Sequence, residues 1–304
     1  MAGVLRFVTP LVRLAVRYVP FRALRALLWT RIVARHLDAV PHRFRARTVF
    51  GATIEGTTAD VIQRHIYWFG AWEPILTRWI ALRLRPGDAF VDVGANIGYF
   101  TLLASKLVGP AGAVVAVEAS PRIVTALQAN VAANTADNVR VVQAIAGREH
   151  GRGTLFSGSE ENVGRATAVP GTGGDAEGDI DVVPLAELLE PSLVERLRLV
   201  KIDVQGYEAE AIAGLAPLLE RFPRSCELVI EVHPQLLAVL GQRIEDVTDP
   251  LEAAGFHAYR VDVDYTPYAH LRALPAHPRA TRLTGAIDDE CDLVFARVDA
   301  ELLD

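Results

Sequence analysis

Cysteine, lysine and long apolar runs are scarce in this chain of 304 residues. Its two cysteines, Cys226 and Cys291, are too few for a disulfide framework and fit no metal-binding spacing, which favours reduced thiols in a cytoplasmic protein. Lys106 and Lys201 are the only lysines, and every other basic residue is arginine. No run approaches the roughly 20 apolar residues of a membrane-spanning helix, and no segment has the apolar core and cleavage site of a signal peptide. The sequence therefore indicates neither a disulfide-stapled secreted fold nor a membrane-spanning protein.

Apolar residues are plentiful, at 51% of the chain, which is enough for one large α/β domain or two small ones. This composition excludes disordered and collagen-like chains. The net charge of −6 conceals an uneven distribution of charge. Residues 1–50 carry ten arginines and one acid, Asp38, a net of +9, and residues 51–304 carry a net of −15. Any function assigned to the protein has to account for this division.

Residues 1–37, here called the head, are apolar as well as basic. Arg6, Arg13 and Arg17 are spaced so that they share one helical face, and Pro20 is expected to interrupt the helix. A basic amphipathic helix suits the surface of an anionic membrane, which would place a cytoplasmic protein at the inner face of the cell membrane. The alternative is a lid or packing helix whose arginines are merely solvated.

A short strand pair is predicted after the head. Its strands are Arg47–Ile54 and Asp60–Tyr67, and Gly56 lies in the turn between them. We therefore divide the chain into an N-terminal part, residues 1–65, which holds the basic amphipathic segment and the strand pair, and a larger domain, residues 66–304.

From residue 89 onward, strands alternate with helices, which is typical of a parallel sheet covered on both faces. The seven predicted strands are Ala89–Val93, Ala113–Val117, Val139–Ala144, Leu197–Val204, Glu227–Val232, His257–Val263 and Asp292–Val298. Residues 147–178 are predicted to be a β excursion. The last two strands have no helix between them and are expected to pair antiparallel. The predicted fold is α/β, with a seven-stranded, mostly parallel sheet, an antiparallel last strand and an N-terminal helical segment.

A glycine-rich turn follows the first of these strands. Asp92, Gly94 and Gly98 form D-x-G-x-x-x-G between a strand and a helix, so that a ligand can approach the main chain at the carboxyl end of the strand. The spacing departs from the dinucleotide fingerprint G-x-G-x-x-G and suits S-adenosylmethionine, which has no phosphate. Asp92 is expected to bind the ammonium group of the cofactor, and Asn96 and Tyr99 to line its methionine end.

The next two strands complete the predicted cofactor site. Glu118 ends the second strand, where an acid can accept hydrogen bonds from both ribose hydroxyls. The third strand ends near Gln143 and Ala144, where main-chain N–H groups are expected to contact the adenine edge. The alternative is a tight glycine turn that binds no ligand.

The chain resembles the FkbM-type S-adenosylmethionine-dependent methyltransferases in four segments, V-D-V-G-A-N-I-G-Y-F-T-L, V-A-V-E-A-S-P, V-K-I-D-V-Q-G-Y-E and I-E-V-H-P. The resemblance covers about residues 66–298 and implies a class I, Rossmann-like methyltransferase. It also implies O-methylation of a hydroxyl on a sugar, glycolipid or natural product. The family usually has Glu-Pro after the second strand, where this chain has Glu118 and Ala119. Glu118 is kept, so the resemblance still implies ribose binding, in a less rigid loop, and Ala119 beside it is counted among the candidate cofactor-binding residues.

Charged residues occupy the fourth and fifth strands, which are expected to be neighbours. Period-two alternation places Lys201 and Asp203 on one face of the fourth strand, and Glu231 and His233 on one face of the fifth. These four are the candidate catalytic residues, with Asp203 or His233 expected to take the proton of the acceptor hydroxyl. The alternative is a self-satisfied ion network that only shapes the pocket.

Two more acids have open roles. Glu208 begins a helix and is either a catalytic acid or a partner of the helix dipole, and Glu73 either reaches the cofactor or caps the next helix. Asp203, Glu208 and Glu231 carry oxygen ligands that suit Mg²⁺, but their spacing matches no dedicated metal site. No metal is predicted.

The arginine-rich head also suggests an RNA-directed methyltransferase or a nucleic-acid-binding protein. Against this alternative, the acidic remainder of the chain would repel phosphates, and the fourth strand is not followed by the Asn/Asp-Pro-Pro-aromatic motif that acts on base amino groups. A third hypothesis is an inactive membrane-associated scaffold. We expect a small-molecule or lipid-linked sugar acceptor and no nucleic acid.

Overall fold

The computed structural model describes residues 2–38, 41–159 and 161–304, with the backbone alone for residues 2–8. Its strands are β1 (Arg43–Arg47), β2 (Thr53–Thr57), β3 (Ala89–Val93), β4 (Ala113–Glu118), β5 (Val139–Gln143), β6 (Ile145–Gly147), β7 (Gly151–Phe156), β8 (Ala176–Pro184), β9 (Leu197–Ile202), β10 (Glu227–Val232), β11 (His257–Val261), β12 (Ala280–Arg282), β13 (Cys291–Ala296) and β14 (Leu302–Leu303). The central sheet, within these described residues, has the order β14-β12-β11-β13-β10-β9-β3-β4-β5.

The arrangement of the central sheet confirms the predicted α/β fold. Strands β5, β4, β3, β9 and β10 are parallel, and β13 runs antiparallel between β10 and β11. The seven predicted strands are all present, and the last is antiparallel as expected. The short edge strands β12 and β14 were not predicted, because runs of three and two residues are too short to show a period-two pattern.

Helices cover both faces of this sheet. The α-helices are α1 (Ala2–Tyr18), α2 (Arg22–Leu28), α3 (Val61–Phe69), α4 (Pro74–Arg83), α5 (Tyr99–Val108), α6 (Pro121–Ala133), α7 (Leu185–Leu188), α8 (Pro191–Val194), α9 (Glu208–Leu215), α10 (Pro234–Val239) and α11 (Glu245–Ala253). A π-helical stretch, Trp29–Leu37, continues α2. Neighbouring strand residues belong to different apolar clusters, Phe90 to one and Val91 to the other, as alternation across a sheet requires. The head residues Val16 and Trp29 belong to the cluster of Phe90.

A second, small sheet lies in the predicted excursion after β5. Strand β8 pairs parallel with β6 and antiparallel with β7. The β structure predicted for residues 147–178 is confirmed, and Ala144 and Ile145, at the start of this sheet, are carried to the carboxyl end of β4.

The strand pair after the head was misplaced by the sequence analysis. Strands β1 and β2 pair with each other around residues 48–52, and the predicted strand Asp60–Tyr67 is wrong because α3 occupies it. The carboxylate of Asp60 accepts a hydrogen bond from the Gln63 N–H at 2.9 Å and begins the helix, and Gly70 ends it in the left-handed conformation. The apolar residues of α3 fit helical spacing and strand alternation equally well. The capping residues at its two ends, Asp60 and Gly70, therefore determine that the segment is a helix.

The helix of the head is interrupted at Pro20, as predicted. Helix α1 ends before Pro20 and α2 begins after it. The outward face of this helix pair is apolar. Half of the exposed large apolar side chains among the described residues belong to it, namely Leu11, Leu14, Tyr18, Phe21, Leu24 and Leu27.

Arg13 and Arg17 of α1 face the body of the protein, contrary to both expectations for them. Arg17 donates from Nε to the Trp68 carbonyl at 3.0 Å and from Nη2 to the carbonyls of Ile66 and Tyr67 at 2.7 and 2.6 Å. The guanidinium of Arg13 lies 4.5 Å from the centre of the Tyr67 ring. These arginines are therefore neither a free basic face nor merely solvated. The last turn of α3 offers them carbonyl groups, and those of Tyr67 and Trp68 lack helical partners. The side chain of Arg6 lies outside the described residues.

The remaining features bear on compartment and on strand order. Among the described residues, no helix combines the length and apolar character needed to cross a membrane. Cys226 and Cys291 are buried and free. Cys226 precedes β10, whereas Cys291 pairs with Val232 at the far end of the same strand, because β10 and β13 are antiparallel neighbours.

Candidate active site

A cavity opens at the carboxyl ends of β3, β4, β9 and β10, where open α/β sheets bind ligands. Seven of the predicted site residues line it, namely Gly94, Asn96, Glu118, Ala119, Ala144, Asp203 and Glu231. Six others are not part of the wall that the described residues form, namely Asp92, Gly98, Tyr99, Gln143, Lys201 and His233. The wall also includes Glu73, Gln205, Tyr265 and Glu290.

The glycine turn holds two elements together tightly. Gly94 has a φ of +78°, and a Cβ there would lie 1.8 Å from the carbonyl oxygen of Asp203. Gly98 has a φ of +92°, and a Cβ there would lie 2.6 Å from Cδ1 of Leu127. Both glycines are thus required by backbone conformation and by packing. Gly94 brings the end of β9, and with it Asp203, against the predicted cofactor turn.

Glu118 is held in place by the backbone on both sides. Its Oε2 accepts a hydrogen bond from the Asn96 N–H at 2.8 Å, and its Oε1 accepts one from the Ser120 N–H at 2.9 Å. Burial raises the pKa of Glu118 to about 7, and hydrogen bonds from backbone N–H groups limit the rise. A carboxylate fixed in this way has lone pairs left over to accept hydrogen bonds from a diol.

Asp92 lies behind the glycine turn. Its Oδ2 accepts a hydrogen bond from the Thr101 hydroxyl at 2.6 Å, and its Oδ1 finds no partner among the described residues. Tyr99 is buried, with its hydroxyl 3.1 Å from that of Thr77. Gln143 is exposed at the end of β5. Neither Tyr99 nor Gln143 is therefore positioned like Glu118, on the cavity wall.

The four predicted catalytic residues converge as the alternation pattern indicated. Lys201 is buried, and its Nζ lies 2.9 Å from Oδ2 of Asp203. Burial alone would raise the pKa of Asp203, but the Lys201 ammonium and hydrogen bonds from its neighbours hold it well below its usual range. Asp203 is therefore an ionised carboxylate on the cavity wall.

Gln205 joins the two strands through its side-chain amide. Its Nε2 lies 2.9 Å from Oδ1 of Asp203, 2.9 Å from Oε2 of Glu231 and 3.1 Å from Nε2 of His233. Burial alone would lower the pKa of His233, but the hydrogen bond and charge of Glu231 raise it to about 9. Burial, together with the charge of Asp203, raises the pKa of Glu231 to about 8. Glu231 and His233 thus share protons in the physiological range.

Glu73 is the most strained acid of the cavity. It precedes Pro74 with a φ of +39° and makes no side-chain cap of α4, so the capping role is wrong. Its Oε2 is buried and without a partner in the described part of the chain. Burial and the nearby acids Asp292 and Glu231 raise the pKa of Glu73 well above its usual value.

Two further residues were missed by the sequence analysis. The Tyr265 hydroxyl lies 2.8 Å from Oε1 of Glu231 and 2.5 Å from Oδ2 of Asp292. Asp292 was placed only as the first residue of the seventh strand, and its position opposite Glu231 follows from the antiparallel pairing of β13 with β10. An acid at the start of a buried strand was the available signal. Tyr265 lies in an irregular loop, and no sequence pattern pointed to it.

Glu208 is buried and accepts a hydrogen bond from the Gly206 N–H at 2.7 Å. Burial raises its pKa to about 7, and the charge of His233 opposes the rise. The cavity therefore combines a fixed carboxylate at the end of β4 with a surplus of acids at the ends of β9 and β10. This arrangement suits a ligand that carries a diol at one end and positive charge at the other.

The known proteins that this sequence resembles are methyltransferases. Residues 92–258 match the methyltransferase FkbM domain. The chain is 32% identical to 31-O-demethyl-FK506 methyltransferase FkbM of Streptomyces tacrolimicus over 50% of its own length and 68% of that protein. It is 29% identical to methyltransferase 1 of Beauveria bassiana over 43% of its own length and 59% of that protein.

Solved structures include another protein of this name. Methyltransferase FkbM from Methylobacillus flagellatus is 16% identical, with a TM-score of 0.40, over 77% of this chain and 52% of that one. Aeropyrum pernix fibrillarin, solved with natively bound S-adenosyl-L-methionine, is 13% identical, with a TM-score of 0.40, over 87% of this chain and 85% of that one.

Proposed function

Because this chain belongs to the FkbM methyltransferase family, we propose that it methylates a hydroxyl oxygen of a sugar, glycolipid or natural product. The family makes it an S-adenosylmethionine-dependent methyltransferase, and this activity implies a small-molecule substrate. An oxygen acceptor is supported by the Streptomyces relative, whose name specifies a 31-O position. The observation that carries the proposal is the carboxylate of Asp203, paired with Lys201, on the same cavity wall as Glu118.

The residues present fit the cofactor. S-adenosylmethionine supplies an electrophilic methyl group on a positively charged sulfur. Glu118 binds the ribose hydroxyls, and Gly94, Asn96 and Ala119 form the adjoining wall. The surplus of acids near Asp203 matches a cofactor end that carries positive charge. Asp92, which lies behind the turn, acts on that end indirectly by holding the turn through Thr101.

Asp203 is the group we assign to the acceptor proton. It is ionised and reaches the cavity, whereas His233 lies behind the wall. A hydroxyl becomes strongly acidic as its oxygen is methylated, so that even a weakly basic carboxylate can take the proton. Lys201 keeps Asp203 ionised, and Glu231 and His233 position it through Gln205. The mechanism is therefore positioning with proton removal.

The acceptor class can be tested in cell extracts. The protein is incubated with methyl-labelled S-adenosylmethionine and separate lipid, glycan and RNA fractions from a strain that lacks its gene. We expect the label to appear on an oxygen in the lipid or glycan fraction, located by fragmentation in the mass spectrometer. Labelled RNA, or a methyl group on nitrogen, would overturn the proposal.

The head supports a membrane-linked acceptor. Its outward face carries Leu14 and Phe21 with side chains 55% and 70% exposed, and Arg22, Arg31 and Arg35 are exposed along the same segment. The apolar side chains suit the acyl boundary, and the exposed arginines suit anionic headgroups. Residues 1–65 are thus proposed to hold the methyltransferase domain, residues 66–304, at the inner face of the cell membrane, near a lipid-linked sugar.

Co-sedimentation with vesicles tests this role of the head. The variant has Leu11, Leu14 and Phe21 changed to Ser, and its matched control has the exposed residues Val239, Leu274 and Val298 changed to Ser. We expect the parent and the control to bind phosphatidylserine-containing vesicles and the head variant to lose most of that binding. Equal binding by all three proteins would remove the proposal.

A further inference from the structure

Three side chains in the part of the cavity that holds Asp203 carry atoms that can coordinate a metal ion. Glu231 and His233 lie at the end of β10, and Glu290 lies just before β13. One ring nitrogen of His233 and one carboxylate oxygen from each glutamate lie within 4.8 Å of one another. Ligands that share one small cation are separated by a few ångströms. This set closes on a cation when the amide nitrogen of Gln205, which lies 2.9 Å from Oε2 of Glu231 and 3.1 Å from Nε2 of His233, moves aside.

The distances around His233 show how the set is arranged. Its Nε2 lies 3.3 Å from Oε2 of Glu231, and its Nδ1 lies 3.4 Å from Oε2 of Glu290. The Glu290 carboxylate also lies 2.9 Å from Nη2 of Arg165, an exposed pair at the rim of the cavity. Glu231 and Glu290 both line the cavity, and His233 supports them from behind.

Carboxyl groups are concentrated on and behind this part of the cavity wall. Glu73, Asp203, Glu231 and Glu290 line the cavity, and Glu208 and Asp292 lie behind it. The cations near them are Lys201, which pairs with Asp203, Arg165 at the rim, and His233 when it is protonated. Buried charge is costly unless it is paired or coordinates a metal.

An independent observation comes from another acid that lines the cavity. Glu73 is 5% exposed and lines the same cavity, yet its Oε2 has no hydrogen-bond partner within the described residues. A buried oxygen of this kind is normally satisfied. Its orphan state indicates that a ligand, or a water molecule bound to one, completes the cavity.

We propose that Glu231, His233 and Glu290 bind one divalent cation of the Mn²⁺ type. Two carboxylates and one imidazole form a mixed oxygen and nitrogen set that binds first-row divalent cations, and the two carboxylates are ligands that Mn²⁺ accepts. Because both glutamates face the cavity, the remaining coordination positions are open to oxygen atoms of a ligand. The ligand class is an acceptor with two neighbouring oxygens, such as a vicinal diol. That last step rests on the proposed function, whereas cation binding itself does not.

A structural alternative uses the same residues without a metal. A protonated His233 can pair with a glutamate at each ring nitrogen, which neutralises part of the cluster. The two arrangements exclude each other, because a metal needs the lone pair that the proton occupies. Direct measurement of cation binding therefore decides between them.

The experiment titrates Mn²⁺ into the full-length protein after treatment with a chelator and desalting. Free Mn²⁺ is followed by its electron paramagnetic resonance signal. The key variant is Glu290→Gln, a substitution at a partly exposed carboxylate that is expected to leave folding intact. The matched control is Glu195→Gln, at an exposed glutamate remote from the cavity. A second pair consists of His233→Asn and its control at an exposed histidine, His277→Asn.

We expect the parent and both controls to bind one Mn²⁺ per chain. Glu290→Gln and His233→Asn are expected to weaken binding by at least about tenfold, the loss that even an outer-shell partner of a metal can cause. The absence of stoichiometric binding, or equal binding by Glu290→Gln and Glu195→Gln, would overturn the site. If His233→Asn fails to fold, Glu290→Gln decides alone. Cofactor binding measured on the same samples separates this result from a failure of the proposed methyltransferase function.

Discussion

Arg17 in the head and the carboxylates of the cavity are both withdrawn from water, but their surroundings differ. The Arg17 guanidinium donates to the carbonyls of Ile66, Tyr67 and Trp68 and to that of Arg47. In the cavity, Glu73 has an oxygen without a partner in the described part of the chain. The donors of Arg17 have acceptors in the body of the protein, whereas the cavity holds a buried acceptor oxygen without a donor among the described residues.

This difference separates stability from function. Neutral carbonyl groups at the end of α3 satisfy Arg17 without a second charge, so the contact fastens the head to the body. The acids around Asp203 repel one another and compete for Lys201, which costs stability. Such a cluster is retained where a ligand or a reacting group completes it. The next three experiments test this distinction, beginning with the largest expected effect.

The largest effect is expected from Asp203→Asn, which keeps the size of the side chain and removes its charge. We expect methyl transfer to fall by about a hundredfold to ten-thousandfold, because the acceptor proton loses its base. The measurement is the rate of label transfer into the acceptor fraction, with cofactor affinity determined by calorimetry alongside. Asp249→Asn, at an exposed aspartate on α11, is the control. Retention of activity within about tenfold would show that Asp203 is not the base.

A smaller effect is expected from Arg17→Met, and it should fall on stability. Loss of the charged donors to the carbonyls of α3 is expected to lower the free energy of unfolding by about 2–4 kcal/mol. Urea denaturation measures this change. Arg22→Met, at an exposed arginine of α2, is expected to stay within about 0.5 kcal/mol of the parent. Equal stability of the two variants would mean that the head is not fastened through Arg17.

The smallest effect concerns pH and Glu118. Burial raises its pKa to about 7, so its ionised fraction grows as the pH rises, and a carboxylate accepts hydrogen bonds from ribose hydroxyls better than a carboxylic acid does. We expect affinity for S-adenosylmethionine to increase by up to about tenfold between about pH 6 and pH 8. The same shift lowers the stability of the free protein as the pH rises through about 7, because its folded form binds the proton more tightly than its unfolded form.

Glu118→Gln is the control for that measurement. Any titration of the amino group of the cofactor is common to both proteins, so the difference between their pH profiles belongs to Glu118. The variant should bind more weakly, with a flatter profile. Parallel profiles would assign the pH dependence to the cofactor instead.

Local sequence patterns predicted the strands of the central sheet more reliably than they predicted the contacts of individual side chains. The strands Ala89–Val93 and Glu227–Val232 were predicted with the bounds that they have, because a short apolar run between turn residues is itself the signal for a buried strand. The segment Asp60–Tyr67 was assigned to a strand, because a short apolar run fits both periods. The decisive hydrogen bond of Asp60 with Gln63 is visible only in three dimensions.

The sequence alone determined the α/β order of strands, the glycine turn and the acid at the end of β4, because each depends on residues close together in the chain. Tertiary structure decided which charges are satisfied. Arg17 reaches carbonyls some fifty residues away, and Tyr265 joins Glu231 to Asp292 across two strands. No local pattern encodes such contacts, because they depend on how separate elements pack. The basic head, conspicuous in the sequence as charge, binds the body through Arg13 and Arg17 and presents apolar side chains outward beside exposed arginines.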